Sequence, residues 1–504
     1  MNPTSQEQDI KRTARGFAAN YLAAIFQIGI FVFHTLGARL LGKLAYGAYI
    51  FSWSVIEIAN KVALAGLDKG IIRAVASERV REDREAENRA LVTALRVLLL
   101  ASLLVIAVIE ITADWIAAWQ KAPQYAGTLR IMAPLTFLWS GAVLLIAATM
   151  GLRTMRYNLL VRGIADPALL ILSIVVIGLS WRSGGAGAMA LAHLCAASCT
   201  FFLALAAFSR CFSLAEVFKG IFRLPGQRGL ISFSIPVGLA ELLNQAIYRV
   251  DIILIGFYLG DPLQIANYGA CVLLANTVSS VRYAFDPVLS PVVAECVVSK
   301  NYERLGDNLR LTVRWVTLLA FPVFLAFLIY GKLLLGLWGE TYREAYTALA
   351  LLLISHFFNT ILGLHQWPVV MSGHSRLDLL NNLIAFLANL LLNFYLIPRF
   401  GINGAAAANL VGNILLRGLQ MAEVKVLMRM HAFSQHWFGV VACVLPLTFG
   451  LYLPRLWLAE IPAVVVGLPL GFFLYMGAYF AMGASTKEKE LLRRLLGRNH
   501  KEEY

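Results

Sequence analysis

Apolar blocks of about twenty residues recur along this chain, separated by short polar turns, and that pattern excludes most folds. A helix of that length crosses the hydrocarbon core of a bilayer, and it satisfies its own backbone polar groups there. The sequence is 59% hydrophobic and 14% charged over 504 residues. A soluble domain is nearer half apolar and a quarter charged. Fourteen spans are predicted: 17–41, 46–70, 91–112, 129–150, 164–181, 187–209, 230–257, 265–290, 311–331, 346–370, 379–397, 403–426, 437–454 and 462–483. The fold class is therefore an all-α polytopic membrane protein with about 14 transmembrane helices.

The net charge of +14 would suit a nucleic-acid partner, but its distribution argues for topology instead. With a cytoplasmic N-terminus, the inside segments collect Lys11, Arg12, Arg15, Arg79, Arg81, Arg84, Arg89, the 153–162 and 210–228 clusters, and the basic tail. The outside segments hold only Lys43, Lys121, Arg182, Lys332, Arg343, Arg399 and Arg455. Such a bias places both termini in the cytoplasm, and no nucleic-acid partner is expected. The first apolar run is too long for a signal-peptide core and is expected to be retained. The six cysteines lie in or beside apolar spans without a CxxC, so reduced thiols are expected. No Walker A, GxSxG, HExxH or Cys/His metal spacing occurs, and the outside loops are short. The chain therefore reads as a non-enzyme without a cofactor or metal.

The chain repeats itself. Leu41-Gly42 and Tyr46-Gly47-Ala48 return as Leu259-Gly260 and Tyr268-Gly269-Ala270, at offsets of 218 and 222. Gly184-x-x-Gly187-Ala188-x-Ala190 returns as Gly401-x-x-Gly404-Ala405-x-Ala407, at an offset of 217. Two ordered matches at nearly one offset imply two six-span halves of like topology, the plan of a transporter with its path between the halves. The predicted organisation is a six-helix bundle over 1–209, a cytoplasmic amphipathic linker over 210–229, a second bundle over 230–428, two extra spans over 429–483 and a cytoplasmic tail over 484–504.

Polar residues inside spans are costly unless they face protein or water. In the second span Glu57, Lys61 and Asp68 fall within about 40° of one another on an ideal helix, bordered by Asn60. Asn20, Gln27 and His34 recur at intervals of seven on the first span. The seventh span carries Glu241, Asn244, Gln245 and Tyr248, and Arg249 with Asp251 suggests a helix break. The eighth brings Tyr268, Ser279, Arg282 and Asp286 within about 60°. Four such stripes predict one shared aqueous cavity. Blander roles remain open: Glu57 and Lys61 as a neutralised i,i+4 pair, Asp68, Lys69 and Arg73 snorkelling at the cytoplasmic rim, His34 as a packing residue, and Asn381, Asn382, Asn389, Asn393, Asn409, Asn413 and Gln420 as interhelical hydrogen-bonding residues.

Several motifs in this order resemble Wzx-type polysaccharide flippases of the multidrug/oligosaccharidyl-lipid/polysaccharide superfamily. They are Leu41-Gly42 with Tyr46-Gly47, Gly66-Leu67-Asp68 with Ile71-Ile72-Arg73, Phe233-Ser234-Ile235-Pro236, Asp251 before Tyr268-Gly269, and Ile397-Pro398 with Gly401-x-x-Gly404-Ala405. The resemblance spans about residues 12–480. It implies a V-shaped pair of six-helix bundles in a bacterial inner membrane, alternating between inward- and outward-open states. It also implies a saccharide on polyprenyl pyrophosphate as ligand, membrane lipids as surroundings, and a polysaccharide polymerase and chain-length regulator as partners. Lys61, Arg249, Arg282 and Arg73, with Asn60 and Gln27, are the candidates for substrate binding. Glu57, Asp68, Glu241 and Asp286 are the candidates for coupling to Na+ or H+. A cation-coupled drug or metabolite exporter of the same fold is the alternative, with a membrane glycan polymerase or ligase behind it.

Overall fold

A computed structural model of the chain describes residues 28–483, with 121, 153, 224, 431, 432 and 434 excepted. Every regular element among them is helical. The first half contains α1 (Ile28–Leu41), α2 (Lys43–Leu64), α3 (Leu67–Val80), α4 (Arg84–Trp119), α5 (Gln124–Met132), α6 (Leu135–Gly151), α7 (Asp166–Ser180) and α8 (Gly185–Ser209). A π-helical stretch, Asn158–Ala165, leads into α7. The short α9 (Leu214–Arg223) precedes α10 (Arg228–Leu259), α11 (Pro262–Val298), α12 (Tyr302–Ile329), α13 (Tyr346–Leu362), α14 (Gln366–Met371), α15 (Ser375–Phe400) and α16 (Ile402–Met428). Then come α17 (Gln435–Ala442), α18 (Val444–Tyr452) and α19 (Glu460–Ala478).

Eleven helical segments among the described residues are long and apolar enough to cross a membrane. Helices α11 and α16, with 37 and 27 residues, are more polar but also exceed a bilayer in length at about 1.5 Å per residue. The chain is a multi-pass helical membrane protein. The predicted first span begins before the described residues; its visible part is α1.

Two local predictions need correction. The span predicted over 46–70 is not one helix. Ala65 and Gly66 both adopt left-handed backbone, with φ of 45° and 74°, and separate α2 from α3. Helix α10 approaches closely at this turn, where only glycine fits: a Cβ on Gly66 would lie 2.6 Å from the backbone nitrogen of Gly238. Conversely, the helix break predicted at Arg249 and Asp251 does not exist, and α10 runs unbroken for 32 residues. Both charged side chains find lateral partners, so the backbone has no need to open.

The sequence repeat is visible as packing. Gly47 and Gly269, related by the 222 offset, sit where α2 crosses α11. A Cβ on Gly47 would lie 2.7 Å from the carbonyl carbon of Pro262, and one on Gly269 would lie 2.7 Å from Ile50 Cγ2. Small residues let helices approach this closely in a membrane. The hydrogen bonds repeat as well. The Tyr46 hydroxyl lies 3.2 Å from His34 Nδ1, and that of Tyr268 donates to Asp251 at 2.9 Å.

On the membrane face that carries the α1–α2 turn, the two halves are clasped. Arg39 donates to the carbonyls of Gly336, at 3.1 Å, and Leu337, and Lys43 donates to that of Thr341 at 3.1 Å. Phe31 meets Trp338 edge-on at 4.7 Å, and Trp119 packs on Phe257 at 4.5 Å. The predicted linker contains α9, whose last carbonyls, Gly220 and Ile221, accept from Arg96. Helices α17–α19 lean on α12. Tyr330 lies within hydrogen-bonding reach of the carbonyls of Leu451 and Ala463, and Gly450 meets Gly471 so closely that a Cβ would lie 2.5 Å from the latter's Cα.

Candidate functional site

Helix α10 is the hinge of the site, because it carries polar groups toward both halves. Toward the first half, Arg249 pairs with Glu57 of α2. Two turns away Glu241 accepts from Lys61 at 2.8 Å, and Lys69 of α3 stands 3.8 Å from its other oxygen. Glu57 and Lys61 therefore do not neutralise each other along one helix; each reaches across the interface. Arg249 and Glu57 are largely removed from water, at 15% and 19% exposed, whereas Lys69 is 55% exposed. Arg73 continues the row by lying 4.3 Å over the Phe233 ring.

Other members of the predicted stripe go elsewhere. Asn60 is buried beside α6, with Ser140 Oγ 3.5 Å from its carbonyl, and its side-chain amide has no hydrogen-bond partner among the described residues. Asp68 lies beyond the Gly66 turn, with Oδ1 buried and without a hydrogen bond. Trp53 packs against His193 at 4.4 Å, and the same imidazole meets the Tyr49 hydroxyl at 2.7 Å. Gln27 and Asn20 lie outside the described residues.

Toward the second half, α10 enters a separate polar interior. Asp251 is fully buried, and it accepts from Tyr268 at 2.9 Å, Asn393 at 2.7 Å and Asn409 at 3.0 Å. The network continues through Ser355 and Asn413 to Tyr248. Asn393 Oδ1 is buried beside this carboxylate without a donor among the described residues. A buried carboxylate is costly unless it is hydrogen-bonded, protonated or matched by a cation. Asp251 has the hydrogen bonds.

The predicted α11 stripe faces this same interior rather than the interface. Ser279 meets His356 at 2.9 Å, and Arg282 pairs with Asp286 at 3.6 Å and reaches the Asn359 carbonyl at 3.4 Å. Asp286 also accepts from Trp367 at 2.8 Å. Arg417, which the sequence reading passed over, is 1% exposed and donates to Asn359 Oδ1 at 2.7 Å and to Gln420 at 2.7 Å. Gln420 in turn donates to Asp378 at 2.9 Å. The signal was available: Arg417 extends the Asn409–Asn413 row by one more step of four. The stripes of α2, α10 and α11 thus form two polar assemblies, one between the halves and one inside the second half. Among the described residues no group of three or more His, Cys, Asp or Glu is placed to hold a metal ion.

Two helical bundles meet along α2, α3, α10 and α11, with ion pairs across the seam and repeat-related glycines at the crossing, in a two-lobed helical membrane fold. The chain belongs to the polysaccharide biosynthesis protein family, whose model matches residues 36–347. Its fold is shared with the lipid II flippase MurJ in an inward closed conformation, with a TM-score of 0.64 and 15% identity over 94% of this chain and 100% of that one. It is also shared with an inward-facing multidrug resistance MATE family transporter of the MOP superfamily, with a TM-score of 0.66 and 14% identity over 80% and 94%. A third such structure is the eukaryotic MATE transporter AtDTX14, with a TM-score of 0.61 and 15% identity over 84% and 98%. No curated protein matches in sequence. The family and the shared fold agree with the resemblance drawn from the sequence motifs.

Proposed function

We propose that the protein is a flippase for polyprenyl-pyrophosphate-linked oligosaccharide. It moves the unit from the cytoplasmic to the outer leaflet of a bacterial inner membrane by alternating access, with both termini cytoplasmic. The product feeds cell-surface polysaccharide such as O-antigen or exopolysaccharide, with a polymerase and chain-length regulator acting next. The observation that carries this reading is membership of a polysaccharide biosynthesis family on a two-lobed helical membrane fold. Lys61 and Arg249 at the seam, with Arg282 and Arg417 beyond it, supply the basic groups for a pyrophosphate. Each is held by an acid or amide that the ligand would displace.

Deleting the gene is expected to leave lipid-linked glycan on the cytoplasmic side and to strip the surface polysaccharide. Normal surface polysaccharide would refute the reading. Lys61→Ala and Arg282→Ala are each expected to abolish export while the protein still inserts, which surface-glycan blotting and membrane fractionation would check.

Coupling to Na+ or H+ is part of the proposal. Glu57, Glu241 and Asp286 each hold a basic side chain, whereas Asp251 is bound by neutral donors alone among the described residues. Asp251 is therefore the preferred coupling group, ahead of those three and of Asp68. Asp251→Asn keeps the volume and removes the charge, so export should persist only weakly and lose its response to an imposed cation gradient. A wild-type response would return the role to the other acids. A cation-coupled exporter of drugs or metabolites is favoured by one observation, the mutual neutralisation of the seam charges. Drug sensitivity of the deletion strain with an intact glycan coat would establish it.

A further inference from the structure

An open cavity lies away from the seam, on the membrane face that carries the α1–α2 turn and within the second half. It encloses about 500 Å³ between the α10–α11 turn, the segment before α13 and the α15–α16 turn. Asp261, Gln264, Asn267, Glu344, Phe400 and Asn403 line it. Two carboxylates, three carboxamides and one aromatic ring line it together with Leu259 and Ile402, and no basic side chain lines it among the described residues. Such a surface offers nothing to a pyrophosphate. Asn267 supplies the second observation: it is 4% exposed, and its Oδ1 is buried without a hydrogen-bond donor among the described residues. A buried acceptor in that state calls for a donor from whatever fills the cavity.

The volume helps to define the occupant. A water takes up about 30 Å³ of liquid, so a bare ion would leave most of the space to solvent. Pockets of roughly 300–1,000 Å³ suit small organic ligands. Carboxylates and carboxamides together match the hydroxyls of a sugar, and Phe400, which is 60% exposed, presents its ring to the apolar C–H face. A nearby cation comes from the other half: Lys43 acts electrostatically on both Glu344 and Asp261 while its amine is held by Thr341. The cavity therefore keeps an excess of acceptors.

We propose that this cavity is a second saccharide site on the outer face, selective for neutral and amine-bearing sugars and closed to uronic acids. It rests on the flippase reading for its ligand class and receives the sugar end of a unit after the lipid has crossed. The test uses the full chain in lipid nanodiscs and three soluble probes: cellobiose, the free-amine glucosamine disaccharide and digalacturonic acid. Calorimetry should detect the glucosamine disaccharide and cellobiose, with digalacturonic acid bound at least about tenfold more weakly. Glu344→Gln, at an exposed position, should weaken the amine-bearing probe by about tenfold or more, and Asn267→Leu should weaken both binding probes. Absence of binding by all three probes, equal binding of the anionic one, or binding indifferent to Glu344→Gln would overturn the site. Binding does not require lipid movement, so a protein that binds these probes yet leaves surface polysaccharide intact on deletion would keep the site and lose the flippase reading.

Discussion

Glu57→Arg is expected to abolish export, and the double variant Glu57→Arg with Arg249→Glu is expected to recover a large part of it. The two side chains form one ion pair across the seam and are mostly shielded from water. Leaving one member of such a pair alone costs about 3–5 kcal/mol, because the remaining charge is still desolvated. Placing two cations there adds direct repulsion. The pair also bridges α2 and α10, so its loss acts on the surface that must part in any alternating cycle. A structural role alone would show as lost protein in the membrane; the predicted result is normal insertion with export lost. Export assays and membrane blotting of both singles and the double make the comparison, and failure of the double to recover would point to a role for each residue beyond their mutual pairing.

Gly47→Leu carries the second large effect. The added Cβ would meet the Pro262 backbone, which cannot yield as a flexible side chain does. The two halves must then separate on the face that carries the α1–α2 turn. A shift of an even equilibrium to 99:1 needs only about 2.7 kcal/mol, and a backbone clash of this kind readily supplies it. A short bifunctional reagent joining cysteines at Lys43 and Thr341, whose groups touch at 3.1 Å, should link the parent and fail in Gly47→Leu. Gly269→Leu should be milder, because its nearest obstacle is the Ile50 side chain. Linking that survives Gly47→Leu, with export intact, would show that this crossing does not set the clasp.

Length and hydropathy were enough to recognise a helical membrane protein, because burying backbone in lipid leaves few alternatives. The repeat was also legible, since Tyr46-Gly47-Ala48 and Tyr268-Gly269-Ala270 serve the same crossing from opposite sides. Helix periodicity placed Glu57, Lys61, Glu241 and Arg249 on polar faces, but it carries no information about which helix lies opposite. So the Glu57–Arg249 and Lys61–Glu241 pairs replaced the local Glu57–Lys61 pair. The Ala65–Gly66 break was hidden for a similar reason: it packs against Gly238, 172 residues downstream. Arg417 was overlooked because a lone arginine in an apolar run gains meaning only with Asn359 and Gln420 around it.

Reconstitution tests the central claim most directly. Proteoliposomes carrying a polyprenyl-pyrophosphate-linked oligosaccharide in both leaflets are mixed with a membrane-impermeant glycosidase. With the protein present, the enzyme should consume nearly all of the lipid-linked sugar, and with Lys61→Ala or empty liposomes it should stop at the outer-leaflet half. Consumption that halts at the same point with and without the protein, whatever cation gradient is imposed, would contradict a flippase.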